Sequence, residues 1–213
     1  MRRLNKEVLF FDLDGTLLNT LEGITNSFNY ALDKAGRELI GSVKNYIGPP
    51  LAHTLERLID DPDDIIKIIA DYRKYYIEKG VYECAPYEGI AGTLKELKTR
   101  GYRLYVATSK PTQIAISLLK RFNLADYFIE IYGADDDSKS GSKDKILNKA
   151  LKSSGERADN SIMIGDTVWD LEGAALNGVA FGAVTYGFGD GDTIIKPDNI
   201  FTAESPVGIL KFL

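Results

Sequence analysis

Residues 8–16, VLFFDLDGT, constrain this chain more than any other stretch. Val8, Leu9, Phe10 and Phe11 form an unbroken apolar run of strand length, the pattern of a β-strand buried on both faces of a parallel sheet. Asp12 follows at once, then Leu13, Asp14, Gly15 and Thr16. Two carboxylates therefore stand two residues apart where a buried strand ends and the chain turns. In an open α/β sheet that edge is where ligands bind. Like charges so close repel, so a cation, a lysine or a shared proton has to offset them.

The rest of the chain repeats the strand and helix alternation on which such a sheet depends. After strand one, at about 7–11, residues 16–21 read as a loop. Residues 22–36 read as a helix with Ile24, Phe28, Ala31, Leu32 and Ala35 on one face and Gly36 near its stop. Further helices are predicted at 50–59 and 62–78, the second opened by Pro62-Asp63-Asp64 in the sense a helix dipole prefers. The next strand is expected only near 103. A βαβ crossover needs a dozen or so residues, so the excess is read as a helical insert. The insert takes residues 17–84, folded over the ligand edge of a core made of 1–16 and 85–213. Its hinges are expected at 17–21 and 79–87. Core helices are expected at 88–99, 112–122, 143–153 and 168–177, and strands at 102–107, 127–132, 160–165, 179–184 and 199–202. Residues 133–142, GADDDSKSGS, read as a polar loop and 186–191 as a glycine-rich turn. The expected fold is α/β: an open, parallel, Rossmann-like sheet with an inserted helical cap.

Composition narrows the partners. A chain of 213 residues with 44% hydrophobic content can bury a full core, and its net charge of −5 with no basic face argues against a nucleic-acid polymer. The apolar run before Asp12 is too short for a signal or membrane segment. A single cysteine, Cys84, excludes an intrachain disulfide framework and fits a reducing cytoplasm. The one histidine, His53, excludes a multi-histidine zinc site, and no EF-hand loop is present. The glycines at 187–191 lack G-x-G-x-x-G spacing, Gly141-Ser142-Lys143 lacks the upstream glycine of a P-loop, and no G-x-S-x-G element occurs.

Four strand ends carry polar groups: Asp12 with Asp14, then Thr108, then Lys143 beyond strand three, then Asp166 with Asp170. Oxygen donors from Asp12, the Asp14 backbone carbonyl and Asp166, with Asp170 one helical turn on, suit Mg²⁺. Asp170 is expected to hold a metal-bound water or to orient Lys143. The chemistry that fits is phosphoryl transfer to an aspartate. Asp12 is the expected nucleophile and Asp14 the acid and then the base. Thr108 and the first-loop N–H groups at Gly15 and Thr16 are expected to bind phosphoryl oxygens. Lys143 is expected to stabilise the charge that develops there. Ser109, Lys110 and Asn19 stand beside them as substrate-binding candidates. Asn26, Tyr46, Gly48, Pro49 and Arg73 of the insert join Asn19 and Lys110 as candidates for specificity.

With these residues in place the chain resembles the haloacid dehalogenase-like hydrolase superfamily, in the branch with a helical cap after the first strand. Asp12-Leu13-Asp14-Gly15-Thr16, Thr108 within VATSKP, Lys143, and the acidic run 165–170 resemble its four motifs. The resemblance implies a strand order of 3-2-1-4-5, Mg²⁺ dependence and the residue roles given above. Asp14 speaks against the dehalogenases themselves, which lack a carboxylate there. Within the superfamily the chain is most similar to phosphoglycolate phosphatase-like proteins and bacterial 5′-nucleotidases. The loop GADDDSKSGSK departs from the compact Lys-Pro-x-Pro form of the former, and Asn19-Thr20 stands where Asp-Ser is frequent. The expectation is a phosphatase, phosphoglycolate phosphatase-like, acting on a small phosphorylated metabolite, as a monomer or weak dimer. A 5′-nucleotidase, a pyrophosphatase and a β-phosphoglucomutase-like mutase are the alternatives. A non-catalytic phosphoryl-binding protein has no need of both Asp12 and Asp14, and a receiver domain does not carry a helical insert after its first strand.

Overall fold

The computed structural model describes residues 6–38, 41–135 and 141–213. The chain runs through β1 (Val8–Phe11), β2 (Leu18–Asn19), α1 (Leu21–Lys34), α2 (Leu51–Glu56), α3 (Pro62–Glu78), β3 (Ala85–Pro86), α4 (Ile90–Thr99) and β4 (Arg103–Pro111). It continues through α5 (Thr112–Arg121), β5 (Glu130–Ala134), α6 (Lys143–Ser154), β6 (Ser161–Gly165), α7 (Val168–Leu176), β7 (Ala180–Val184), α8 (Gly191–Ile194) and β8 (Phe201–Ala203).

Six strands form one parallel sheet in the order β5-β4-β1-β6-β7-β8. This is the expected 3-2-1-4-5 order with the last short strand added outside the fifth. β1 lies at the centre because all four of its side chains are apolar, and each is fully buried. Its pleat sends Leu9 and Phe11 to one face, against Leu94, Leu97 and Leu118. Val8 and Phe10 go to the other, against Ile146, Leu147 and Ala174. Burying such side chains stabilises by about 1.5–3 kcal/mol each, an upper figure because unfolded chains are partly compact.

A third cluster lies within the insert, where Phe28, Leu55, Ile68 and Tyr76 pack together from α1, α2 and α3. These helices form a cap subdomain with its own apolar interior. From the core, Phe188 of the turn after β7 joins this cluster, and Ile114 of α5 packs against it. The chain leaves and re-enters the core side by side. Leu18 pairs with Pro86 and Asn19 with Ala85 in a two-stranded antiparallel ribbon. That ribbon replaces the plain loop expected at 16–21.

Other element ends differ from expectation for local reasons. β4 does not stop before Thr108 but continues, after a shift of register, until Pro111 pairs with Ala134. β5 starts at Glu130 because residues 125–128 close a 3₁₀ turn, with Phe128 N–H donating to the Ala125 carbonyl. α2 is shorter than predicted, since Leu58 and Ile59 both donate to the Leu55 carbonyl and tighten its exit. Residues 136–140 of the polar loop lie outside the described residues. Among the described residues no helix is long and apolar enough to cross a membrane.

Candidate active site

The carboxyl ends of β1, β4 and β6 converge, and the polar residues there meet. Asp12 leaves β1 with its N–H donating to the Ile164 carbonyl at 2.9 Å, which fixes it beside the end of β6. Asp12, Asp166 and Asp170 each offer a carboxylate oxygen, and these oxygens lie within 4.8 Å of one another. All three residues are buried.

Each carboxylate is held by a different device. Asp170 Oδ2 accepts from the Thr167 hydroxyl at 2.7 Å and the Thr167 N–H at 3.0 Å, a capping arrangement at the start of α7. Its other oxygen lies 2.8 Å from Lys143 Nζ. Asp166 Oδ1 accepts from the Thr16 hydroxyl at 2.9 Å, and Oδ2 accepts from Phe188 N–H at 2.8 Å. Two glycines permit this close packing. A Cβ at Gly15, which sits at φ +85°, would fall 2.2 Å from Asp166 Oδ2, and one at Gly187 would fall 2.4 Å from the same atom. Lys143 opens α6 and reaches back to the sheet edge. Its ammonium lies 2.6 Å from Asp12 Oδ1 and donates to the Ala107 carbonyl at 3.0 Å.

The electrostatics of this cluster are unbalanced. Burial pushes the Asp12 carboxyl up to about 7; Lys143 opposes the rise and Asp170 adds to it. Burial likewise pushes Asp166 up to about 8, with Asp170 and Asp12 contributing. Burial disfavours the charge on Lys143, yet Asp12 and Asp170 more than offset it and hold its pKa above the usual lysine value. Ionised together, three buried carboxylates against one ammonium would leave net negative charge in a low-dielectric pocket, so protons or a cation must offset it. An all-oxygen donor set of that charge fits a hard divalent cation.

Asp14 belongs to a second network. Its Oδ1 accepts from the Thr20 hydroxyl at 2.7 Å, and its Oδ2 lies 3.0 Å from Lys110 Nζ. Lys110, buried, also donates to the Tyr76 hydroxyl at 2.9 Å, across the boundary between core and cap. Thr108 is buried beneath, its hydroxyl accepting from Lys110 N–H at 3.2 Å. The Ser109 hydroxyl is buried with no hydrogen-bond partner among the described residues.

A cavity of about 180 Å³ opens between sheet edge and cap. Asp12, Asp14, Thr108, Ser109 and Lys110 line it from the core, and Phe28, Tyr46, Gly48, Pro49, Arg73 and Tyr76 from the cap. Asn19 and Asn26 do not line it. Asn19 is exposed on β2 and accepts from Leu21 N–H at 3.3 Å, and the Asn26 amide donates to Glu83 at 3.0 Å. Thr16 faces Asp166 rather than the cavity. Sequence reasoning missed Thr20, Tyr76 and the 187–189 turn. The turn was expected only as a turn, yet its N–H groups grip Asp166. The one signal in the sequence was a run of glycines just past a strand end.

Sheet order, edge cluster and cap together define a metal-binding α/β hydrolase of the phosphatase type. The chain belongs to the haloacid dehalogenase-like hydrolase family, whose pattern matches residues 9–184. It is 37% identical over 189 residues to a 5′-nucleotidase from Pseudomonas aeruginosa, covering 87% of this chain and 86% of that protein. It is 32% identical over 210 residues to the pyrophosphatase PpaX of Halalkalibacterium halodurans, covering 96% and 95%. The crystal structure of a predicted phosphatase from Clostridium acetobutylicum superimposes with a TM-score of 0.89 at 35% identity, covering 97% of this chain and 99% of that one.

Proposed function

We propose that this chain is a Mg²⁺-dependent phosphomonoester hydrolase that works through an aspartyl-phosphate on Asp12. The observation that carries the reading is the convergence of Asp12 with Lys143 at 2.6 Å and with Asp166 and Asp170 around one point, where Asp12 also lines a capped cavity. Asp12, the Asp14 carbonyl, Asp166 and Asp170 would hold the ion, which when bound would offset the repulsion between Asp12 and an anionic phosphoryl group. Asp12 attacks phosphorus and the ester oxygen leaves, taking a proton from Asp14. Asp14 then takes a proton from water, and the resulting hydroxide attacks the same phosphorus, releasing inorganic phosphate and restoring Asp12. Lys143 favours the ionised form of Asp12 and aims its carboxylate. The Thr108 and Ser109 hydroxyls bind phosphoryl oxygens, with Lys110 beside them; the Gly15 and Thr16 N–H groups, expected there from sequence, instead donate to the Leu18 and Leu13 carbonyls.

The substrate is a small phosphorylated metabolite, since the cavity takes about 180 Å³. The cap side of that cavity is largely apolar and aromatic, with Phe28, Tyr46, Tyr72 and Tyr76. That wall supports a second, narrower reading, a leaving group with a flat apolar face such as a nucleoside 5′-monophosphate, in line with the 5′-nucleotidase relative. Phosphoglycolate, pyrophosphate and a sugar phosphate have no such face. The single cysteine supports a reducing, cytoplasmic setting.

Phosphate release from a panel of phosphomonoesters, with Mg²⁺ and with EDTA, tests the reading. Activity is expected with Mg²⁺ only, and Asp12→Asn is expected to lower kcat by roughly 10⁴-fold or more. No release from any ester by the Mg²⁺-loaded protein would sink it. Ranking the panel by kcat/KM decides between the metabolite classes.

A further inference from the structure

The cap contributes a polar contact to the core that the hydrolysis scheme above does not use. Tyr76 lies on α3, in the inserted helices, and is 5% exposed. Its ring stacks on Tyr72 with centroids 5.9 Å apart and planes 4° off parallel, so the hydroxyl is held in one direction. That hydroxyl accepts from Lys110 Nζ at 2.9 Å, and the ammonium also lies 4.7 Å from the centre of the Tyr76 ring. The same ammonium is 3.0 Å from Asp14 Oδ2. Asp14 Oδ1 is tied at 2.7 Å to Thr20, next to the ribbon where the chain enters the cap.

We propose that Tyr76 is a positioning residue that reports the seating of the cap to Asp14 through Lys110. The proposal rests on the phosphomonoesterase reading, in which Asp14 delivers a proton to the leaving oxygen. A buried ammonium keeps a fixed place only while its hydrogen-bond partners hold it. With the cap seated, Lys110 stands between two fixed partners and orients one Asp14 oxygen while Thr20 orients the other. With the cap lifted, the Tyr76 hydroxyl departs, Lys110 turns toward solvent, and Asp14 keeps only one anchor. Proton delivery is thereby tied to closure, so the acid is aimed only after the substrate is enclosed.

Leaving-group dependence tests this, because an aryl phosphate with an acidic phenol needs little proton delivery and an alkyl phosphate needs much. The readout is the ratio of kcat/KM for the alkyl ester to that for the aryl ester. The ratio does not depend on how much of a variant is folded. Tyr76→Phe keeps the ring and is expected to lower the ratio by about tenfold. Lys110→Met is expected to lower it similarly, and the double variant to add little beyond either single change, as residues acting through one another do. An unchanged ratio in Tyr76→Phe overturns the proposal, as does a double variant whose effect is the product of the two. A wild-type protein inactive on both esters removes the phosphomonoesterase reading itself. Normal wild-type activity with an unmoved ratio removes Tyr76 alone.

Discussion

Asp166 is held by a hydroxyl and by backbone N–H groups, with no side-chain cation paired to it among the described residues. Gly187 makes that possible, since any Cβ there would fall 2.4 Å from both Asp166 Cβ and Oδ2. Gly187→Ala is therefore expected to weaken metal binding by about 10- to 100-fold, as changes just outside a ligand set do. A calorimetric titration reads this directly, and an unchanged affinity would mean that Asp166 is not a ligand. Lys143→Met leaves Asp12 and Asp170 facing each other without their ammonium. The expected cost is about 3 kcal/mol or more in a metal-free urea titration at pH 8, and less at pH 5, where a proton substitutes for the lost cation. Equal losses at the two pH values would contradict this account. The meeting of Asp12, Asp166, Asp170 and Lys143 is legible in the sequence because charged residues directly after buried strands have one place to go. Thr20, Tyr76 and Phe188 are not legible. Phe188 acts through its N–H, which every residue but proline possesses, and Tyr76 arrives from a helix whose docking no local pattern specifies.

At the scale of elements, the turn after β7 serves two masters. Its N–H groups hold Asp166, while the Phe188 side chain fills the apolar cluster of α1, α2 and α3. The cap thus leans on the same turn that fixes a carboxylate. Phe188→Ala is expected to destabilise by about 3 kcal/mol, the cavity cost of a buried phenylalanine, and to raise hydrogen exchange in α1 and α3 more than in β1. Exchange that rises evenly through cap and sheet would argue against a local role. The elements themselves read well from sequence where one force dominates. β1 is apolar throughout, and α3 matches its predicted bounds, with Asp61 accepting from Asp63 N–H and Pro62 at its first turn. The short ribbon of β2 and β3 was not readable, because two residues carry no period. The extension of β4 through Pro111 depends on β5 as a partner, which is tertiary information.

For the whole molecule, the edge cluster makes stability depend on pH and on metal together. Without an ion, burial and the neighbouring carboxylates push Asp12 up to about 7 and Asp166 up to about 8, both above the ordinary value of 3.8. A carboxyl whose folded-state pKa is raised binds its proton more tightly when folded. The stability it contributes is complete below about 4 and is lost as pH climbs through 7 and 8. Metal-free protein is therefore expected to melt at progressively lower temperature across that window. A divalent cation competes with those protons, so its apparent affinity is expected to rise by about tenfold or more between pH 6 and pH 8, with protons released on binding. Ligand present at a hundred times its Kd stabilises by about 2.7 kcal/mol, so the gap between metal-loaded and metal-free melting curves widens as pH rises. Melting at pH 6, 7 and 8 with Mg²⁺ and with EDTA checks this, and titrations in two buffers of different ionisation enthalpy count the protons. A gap that stayed constant with no protons released would mean that Asp12 and Asp166 are already ionised without the ion. Three ionised carboxylates would then face the single ammonium of Lys143 at every pH in that window, and the proton-linked part of the metal affinity would disappear.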